Sequence, residues 1–190
     1  MKFFGRLLSM KDKTLAAHDT SHESSSARRL IADLASEEFE KGKEASEALV
    51  KLGSEAVPSL IKAIHHKDFR VRWNALEALG KIADASAINA LVGVLKDRDD
   101  EVRRKATWAL GKIGDTRAAD PVIDVLFNDG SAEVAGYAVW ALGEIKGDKA
   151  RDALVRACSK CRWGRAREDA AHTLKSKFEI DGAQPTPRPL

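Results

Sequence analysis

Apolar residues recur in this chain with the spacing of amphipathic helices, in blocks that repeat along the sequence. In residues 71–82, the apolar positions Val71, Ala75, Ala78, Leu79 and Ile82 fall at i, i+4, i+7, i+8 and i+11, which places them on one stripe of a helix. The same arrangement returns in 102–113 and 134–145. The pattern predicts three equivalent helices, each with one buried face.

The repeat has the length of a helix pair. Gly80, Gly111 and Gly143 occupy the same place in successive blocks, 31 and 32 residues apart, which is enough for two short helices and two turns. Apolar residues between the blocks, such as Leu91, Val92 and Leu95, recur at this period and predict the first helix of each unit. Weaker copies at both ends extend the series to five pairs. The predicted repeat domain spans 24–178, with units 24–53, 54–84, 85–115, 116–147 and 148–178 between flexible segments 1–23 and 179–190.

One stretch carries a family resemblance. Residues 109–118 read Ala-Leu-Gly-Lys-Ile-Gly-Asp-Thr-Arg-Ala, with Asp-Glu-Val-Arg before them at 100–103 and Pro-Val-Ile-Asp-Val-Leu after them at 121–126. This stretch closely resembles the HEAT-like repeat of the phycobilisome-lyase type. The resemblance implies an all-α, right-handed α/α solenoid of about five helix pairs, with first helices on the convex side and second helices on the concave side.

The resembled family is functionally diverse. Its members include bilin lyase subunits, deoxyhypusine hydroxylases and scaffolds. The hydroxylases bind two irons through His-Glu pairs on second helices, whereas the only His-Glu dipeptide here is His22-Glu23, in a polar N-terminal stretch. We therefore predict no metal, no cofactor and no catalytic residues.

One position of the second helix changes from unit to unit, through Glu47, Glu77, Trp108, Trp140 and His172. It lies about 140° from the centre of the apolar stripe, on the face that the resemblance makes concave. We predict an aromatic partner-binding patch there, edged by basic side chains; the alternative is that Trp108 and Trp140 pack on each other between adjacent helices. The candidate residues are Trp73, Glu77, Arg104, Lys105, Trp108, Lys112, Tyr137, Trp140, Glu144 and His172.

Composition and charge narrow the function classes. The chain has 190 residues, 44% of them hydrophobic and 32% charged, with a net charge of +3, which is too small to indicate nucleic-acid binding by itself. It has no apolar run of about 18 residues and no signal-peptide pattern, so a cytoplasmic location is predicted. Basic residues do cluster near the C-terminal end, where they form either a nucleic-acid surface or a solvated basic end: Arg151, Arg156, Lys160, Arg162, Trp163, Arg165 and Arg167.

Two further features leave alternatives open. Cys158 and Cys161 form a lone CxxC that fits a core position followed by a loop, or a redox or metal site lacking its other ligands. Residues 1–13 combine Phe3, Phe4, Leu7 and Leu8 with four basic residues. That segment is predicted to be disordered or a cap, with docking to a membrane surface or a partner as the alternative.

Together these patterns predict a non-enzymatic interaction or scaffold module that binds a protein partner through its concave face. A subunit of an enzyme, such as a bilin lyase-like protein, is the first alternative. A HEAT-like nucleic-acid-binding or repair protein, as in the alkylpurine DNA glycosylases, is the second.

Overall fold

The computed structural model describes residues 25–36 and 38–179, and within these ranges the chain is helical and has no strand. Short turns join the helices, and a single turn of 3-10 helix precedes each of α3, α5 and α7. The α-helices are α1 (Ser25–Asp33), α2 (Phe39–Leu52), α3 (Val57–Ala63), α4 (Phe69–Ile82), α5 (Ile88–Val94), α6 (Asp100–Ile113), α7 (Ala119–Asn128), α8 (Ala132–Ile145), α9 (Gly147–Lys160) and α10 (Gly164–Phe178).

The helices form five pairs arranged in two layers. The first helix of each pair contacts the second, and the second helices α2, α4, α6, α8 and α10 contact one another in series. Contacts between successive first helices are sparser, so the second-helix layer is the tighter one. The predicted all-α, right-handed α/α solenoid of five helix pairs is confirmed.

The apolar stripe forms the core that joins the layers. Val71, Ala75, Ala78 and Leu79 are buried, as are the corresponding residues of α6 and α8. Alanine at two of the four positions keeps the stripe shallow, so neighbouring helices approach closely. Ile82, at the last residue of α4, is half-buried rather than buried.

Arginine–aspartate pairs link consecutive units. Arg103, the fourth residue of α6, places Nε 2.8 Å and Nη2 3.1 Å from the two carboxylate oxygens of Asp129, in the loop before α8. Its Nη1 donates to the carbonyl oxygen of Asp97, in the loop before its own helix, at 2.9 Å. Arg72, the fourth residue of α4, lies 3.4 Å from Asp97 in the same way. These pairs hold the inter-helix loops at a fixed spacing.

Aspartates cap two of the turns between units. Asp84 and Asp115 accept hydrogen bonds from the amides of Ser86 and Arg117, both at 2.9 Å, and so cap the short turns before α5 and α7. In the last unit the corresponding aspartate, Asp148, lies inside the first turn of α9.

Several predictions fall on other parts of the chain. Segments 1–23 and 179–190 are predicted to be flexible; residues 1–23, which include His22-Glu23, and 180–190 lie outside the described residues. The boundaries of the individual units stay a prediction. Among the helices described here, none has the length and hydropathy to cross a membrane.

Candidate functional site

Trp108 and Trp140 fill notches made by glycine in the preceding second helix. The Trp140 ring lies over Gly111 of α6, where an added Cβ would come within 2.6 Å of the indole Cζ3. Trp108 lies in the same way over Gly80 of α4. Both indoles are half-buried against the core. Gly80 and Gly111 are therefore the seats of the next unit's tryptophan, whereas the equivalent Gly143 faces Thr173 of α10.

Lys105 lies between two of the tryptophan rings of the predicted patch. Its Nζ is 3.7 Å from the centre of the Trp73 ring and 4.9 Å from that of Trp108. Glu77 Oε2 lies 3.4 Å away on another side, and Glu77 Oε1 is 2.8 Å from Lys81. A lysine between two indoles and a carboxylate fixes the orientation of Trp73 through cation–π attraction.

Burial and charge act in opposite directions on this cluster. Burial raises the pKa of Glu77, but the hydrogen bond from Lys81 and the charge of Lys105 outweigh it, and the net shift is downward. Burial lowers the pKa of Lys105, and the neighbouring Glu77 carboxylate offsets this only in part. The Glu77 carboxylate is thus held ionised between two lysines.

An open groove of about 440 Å³ lies between α2 and α4, next to this cluster. It exists because α2 has Gly42 and Ser46 as its fourth and eighth residues, where α4 has the larger, buried Arg72 and Leu76. Glu77 of α4 occupies the repeat position that Trp108 occupies in α6. No indole therefore fills the space between α2 and α4. The lining residues are Leu34, Ser36, Gly42, Lys43, Ser46, Glu47, Phe69, Arg70, Trp73, Asn74, Glu77 and Lys81.

The groove combines an aromatic wall with a charged rim. Phe69 is 39% exposed and is, with Val155, one of two large hydrophobic side chains that the described residues leave exposed. Trp73, one turn further along α4, is half-buried. On the rim, Arg70 is paired with Asp68 at 3.1 Å, while Lys43 and Glu47 on α2 are exposed. The floor is closed by Asn74, whose Nδ2 donates to the carbonyl oxygen of Leu34 at 3.4 Å.

The other residues predicted for the concave face lie on the later second helices, α6, α8 and α10. Arg104 donates to the Tyr137 hydroxyl at 3.1 Å, stacks on its ring at 5.1 Å and pairs with Glu101. Glu144 pairs with Lys177 at 2.8 Å, whereas Lys112 and His172 are exposed. These residues share the second-helix face but do not enclose a space with Trp73.

The basic cluster at the C-terminal end is largely engaged in packing. Arg156 stacks on Phe127 at 4.3 Å, and Arg162 stacks on Trp163 at 4.4 Å while donating to the carbonyl oxygen of Asp129 at 2.7 Å. Other cations there also have partners: Arg167 donates to the Cys161 carbonyl oxygen and Arg151 pairs with Asp148, while Lys160 and Arg165 are exposed. Nucleic-acid binding gains no support from this arrangement.

Both cysteines are buried. Cys158 is 5% exposed in the core of α9, and burial raises the pKa of its thiol. Cys161 is 1% exposed, its Sγ 3.7 Å from the carbonyl oxygen of Leu126, so it packs in the core rather than in an open loop. In the parts of the chain that the structure describes, no three His, Cys, Asp or Glu side chains cluster as metal ligands would.

The groove itself was missed at the sequence level. Phe69 begins α4 just outside the apolar stripe, and Asn74 lies on its polar side. The available signal was the pair of small residues Gly42 and Ser46 at positions that are large in α4.

Comparisons with known proteins identify the repeat. The family model for HEAT repeats matches residues 27–111 and 93–175. No curated protein sequence matches the chain. The complex of CpcE and CpcF of phycocyanin lyase from Nostoc sp. PCC7120 matches in structure with a TM-score of 0.62 and 25% identity, over 81% of this chain and 65% of that chain.

Two engineered proteins also match. One has a TM-score of 0.55 and 24% identity over 78% of this chain and 77% of its own, and another a TM-score of 0.51 and 25% identity over 78% and 46%. The first of these shows the fold alone. The chain spans less than two thirds of the lyase chain, 65% of its length. Because the family model covers most of the sequence and the structure has the matching helix pairs, this chain belongs to the HEAT repeat family.

Proposed function

We propose that this chain is a protein-binding subunit whose groove between α2 and α4 holds a segment of a partner chain. The observation that carries the proposal is the groove, about 440 Å³ in volume, with the exposed Phe69 beside Trp73 on its wall. Sites of this size with aromatic walls and a few charged groups are typical of ligand and peptide recognition. Aromatic anchors in such pockets carry most of the binding free energy of an interface.

The preorganisation of Trp73 supports this location. Lys105 lies against the indole ring and is itself paired with Glu77. A side chain that is already ordered loses little conformational entropy when a partner contacts it. Trp108 and Trp140, in contrast, already pack on glycine notches. Partner contacts by these two indoles stay a prediction, and the groove is the better candidate.

The proposal is tested by affinity capture with variants of the full chain. Phe69→Ala, and separately Trp73→Ala, should weaken binding of the captured partner about tenfold or more, the usual cost of removing an aromatic anchor. The matched control is Val155→Ala, because Val155 is also exposed, at 49%, but lies on α9 at the other end of the stack.

Thermal melting of each variant separates binding from folding. Phe69→Ala should leave the melting temperature within a few degrees of the unmodified chain, because its side chain is exposed. Partner binding that is equally strong in Phe69→Ala, Trp73→Ala and Val155→Ala would rule out the groove as the binding site.

A second candidate is a subunit of a lyase that acts on a phycobilin-carrying protein. The structural match to a chain of the CpcE–CpcF complex favours it. On this proposal the partner in the groove is a second lyase subunit, and the location is cytoplasmic.

The two candidates differ in what the captured complex does. A lyase subunit should co-purify with a second repeat protein, and the complex should attach a bilin to apo-phycocyanin, which absorbance of the product measures. A complex that forms through the groove but leaves bilin and apo-phycocyanin unlinked would favour the interaction module without lyase activity.

A further inference from the structure

We infer that the partner segment in the groove between α2 and α4 is acidic, with carboxylate side chains next to a large apolar anchor residue. This chemistry rests on the proposed function, since a segment must bind in the groove for its charge to matter. The aromatic wall carries the proposed function, whereas the charges of the two walls carry the acidic character, so separate variants test them.

Basic side chains outnumber acidic ones in the lining of the groove. Lys43, Arg70 and Lys81 line it, against Glu47 and Glu77. An excess of one sign in a concave surface with low-dielectric walls strengthens the potential that a ligand of the opposite sign experiences. The balance therefore favours a segment with negative charge over a neutral or basic one.

The charged groups of the α4 wall are engaged within the chain. Glu77 Oε1 lies 2.8 Å from Lys81 Nζ, and its Oε2 lies 3.4 Å from Lys105 Nζ. Arg70 Nη2 lies 3.1 Å from Asp68 Oδ2. The arginine and the aspartate balance each other, whereas the glutamate has two lysines beside it. The α4 wall therefore keeps a surplus of positive charge.

The α2 wall carries a basic side chain that a partner can reach. Lys43 is exposed at the groove, and it has no carboxylate partner among the residues that the structure describes. Glu47 lies one turn further along α2 and is followed by the exposed Lys51, so it has a lysine four residues away on each side. Lys43 is therefore the best contact for a carboxylate of the partner.

The positions of Lys43 and Trp73 set the spacing of the recognised segment. They occupy equivalent positions on adjacent second helices, 30 residues apart in the sequence. Packed helices lie about 8–10 Å apart, and an extended chain advances about 3.3 Å per residue. An apolar residue on Trp73 and a carboxylate on Lys43 are then two or three residues apart in the bound segment.

A single-stranded nucleic acid would also combine negative charge with rings that stack on aromatic side chains. It carries a phosphate at each nucleotide, so it needs cations along the whole path of its backbone. In this groove the carboxylates of Glu47 and Glu77 interrupt the cations. The groove therefore fits an acidic peptide segment better than a nucleic acid.

The test titrates the ¹⁵N-labelled full chain with three short peptide probes. All three have a central phenylalanine, and they differ in having glutamate, glutamine or lysine two and three residues from it on both sides. The chain has four tryptophans, and Trp73→Phe identifies the indole N–H signal of Trp73, which reports binding. The glutamate peptide should bind about tenfold tighter than the lysine peptide at low salt, and about 1 M salt should remove most of the difference.

Charge reversal at the rim provides the matched pair of variants. Lys43→Glu should abolish or reverse the preference, because the rim then repels the glutamate peptide and attracts the lysine peptide. The control is Lys160→Glu, the same change at an exposed lysine of α9 at the other end of the stack, and it should keep the preference. Both variants should melt within a few degrees of the unmodified chain, because both side chains are exposed.

Each outcome decides whether the segment is acidic. Equal binding of the three peptides, tighter binding of the lysine peptide, no movement of the Trp73 signal, or an unchanged preference in Lys43→Glu overturns the acidic segment. Tighter binding of single-stranded oligothymidine than of the glutamate peptide overturns it in favour of a nucleic acid. Partner capture by Phe69→Ala is measured separately. Weakened capture together with any of these results leaves the proposed function standing, whereas undiminished capture counts against the proposed function itself.

Discussion

Glycine residues, which lack a Cβ atom, allow the second helices to approach closely. At Gly111, the space of a Cβ is already taken by the Trp140 ring and by Ala141 of α8, whose Cα would be 2.9 Å away. Because one of these neighbours is the backbone of α8, it cannot move aside as a flexible side chain could. The glycine is therefore required by close approach, and the tryptophan by the notch that the glycine leaves.

Gly111→Ala should destabilise the chain by about 2 kcal/mol, because the added methyl group overpacks the α6–α8 contact. Gly93→Ala is the matched control: Gly93 lies in α5 with no atom within 4 Å of an added Cβ. There the substitution should stabilise the helix by about 0.5 to 1 kcal/mol. Urea unfolding measures both, and a loss of stability at Gly93 equal to that at Gly111 would contradict the notch.

Lys146 has a backbone conformation that favours glycine. It ends α8 with φ of 60° and ψ of −164°, while the equivalent residue after α2 is Gly53, with φ of 62° and ψ of −137°. Lys146→Gly should therefore stabilise the chain by roughly 1 kcal/mol, the strain typical of a non-glycine residue in this region. Thermal melting provides the measurement, and a lower melting temperature in Lys146→Gly would contradict the assignment of strain.

Between elements, the Arg103–Asp129 pair fixes the loop before α8 against α6. Its two hydrogen bonds are bidentate, and both side chains are largely buried, with 16% and 6% exposed. Removing one partner leaves the other buried without its counter-charge. Arg103→Ala or Asp129→Ala alone should cost about 3 kcal/mol, and the double variant should cost much less than the sum. Additive losses in the double-mutant cycle would show that the pair is not coupled.

The same pair should make stability depend on pH. Burial raises the pKa of Asp129, but hydrogen bonds from Arg103 and the Ser131 amide outweigh it, so its pKa in the folded chain is below the ordinary value of 3.8. The stabilisation is then present above 3.8 and is lost as the pH falls from there through the lower folded value. Urea unfolding should show a coupling energy at pH 7 that decreases below about pH 4; a coupling that grows on acidification would contradict this sign.

The helices could be predicted from the sequence because each has a clear apolar stripe and a repeating period. The stripe also located the core, as at Ala75 and Leu79. The pattern did not show how far side chains outside the apolar stripe are buried by the neighbouring helix. A tryptophan at the position of Trp108 faces solvent on a single helix, and only the neighbouring Gly80 makes a notch that takes it in. Such a fit depends on two helices at once, so periodicity along one of them does not contain it.

Across the whole molecule, the solenoid is continuous in its core but not on its second-helix surface. Tryptophans fill the α4–α6 and α6–α8 junctions, whereas Gly42, Ser46 and Glu77 leave the α2–α4 junction open. The sequence analysis predicted the candidate site around Trp108 and Trp140, in the middle of this layer. The groove lies one helix junction closer to the N-terminus, between α2 and α4. Trp73 and Glu77 belong to both descriptions.

This difference predicts opposite behaviour for the two tryptophans in the notches and for Phe69 in the groove. Trp108→Ala and Trp140→Ala each remove a ring from a notch and should lower stability by about 3 kcal/mol. Phe69→Ala should change stability by less than about 1 kcal/mol, because its ring is 39% exposed. Thermal melting compares them directly, and equal losses in all three variants would contradict the distinction between notch and groove.

Site-specific photo-crosslinking tests the central claim most directly. Benzoylphenylalanine at position 69 of the full chain would lie at the groove wall, and at position 155 it would lie on α9 with a similar exposure. The groove proposal predicts a covalent product with the partner from position 69 and none from position 155. A product from position 155 alone, or equal products from both, would contradict the assignment of the groove as the partner-binding site.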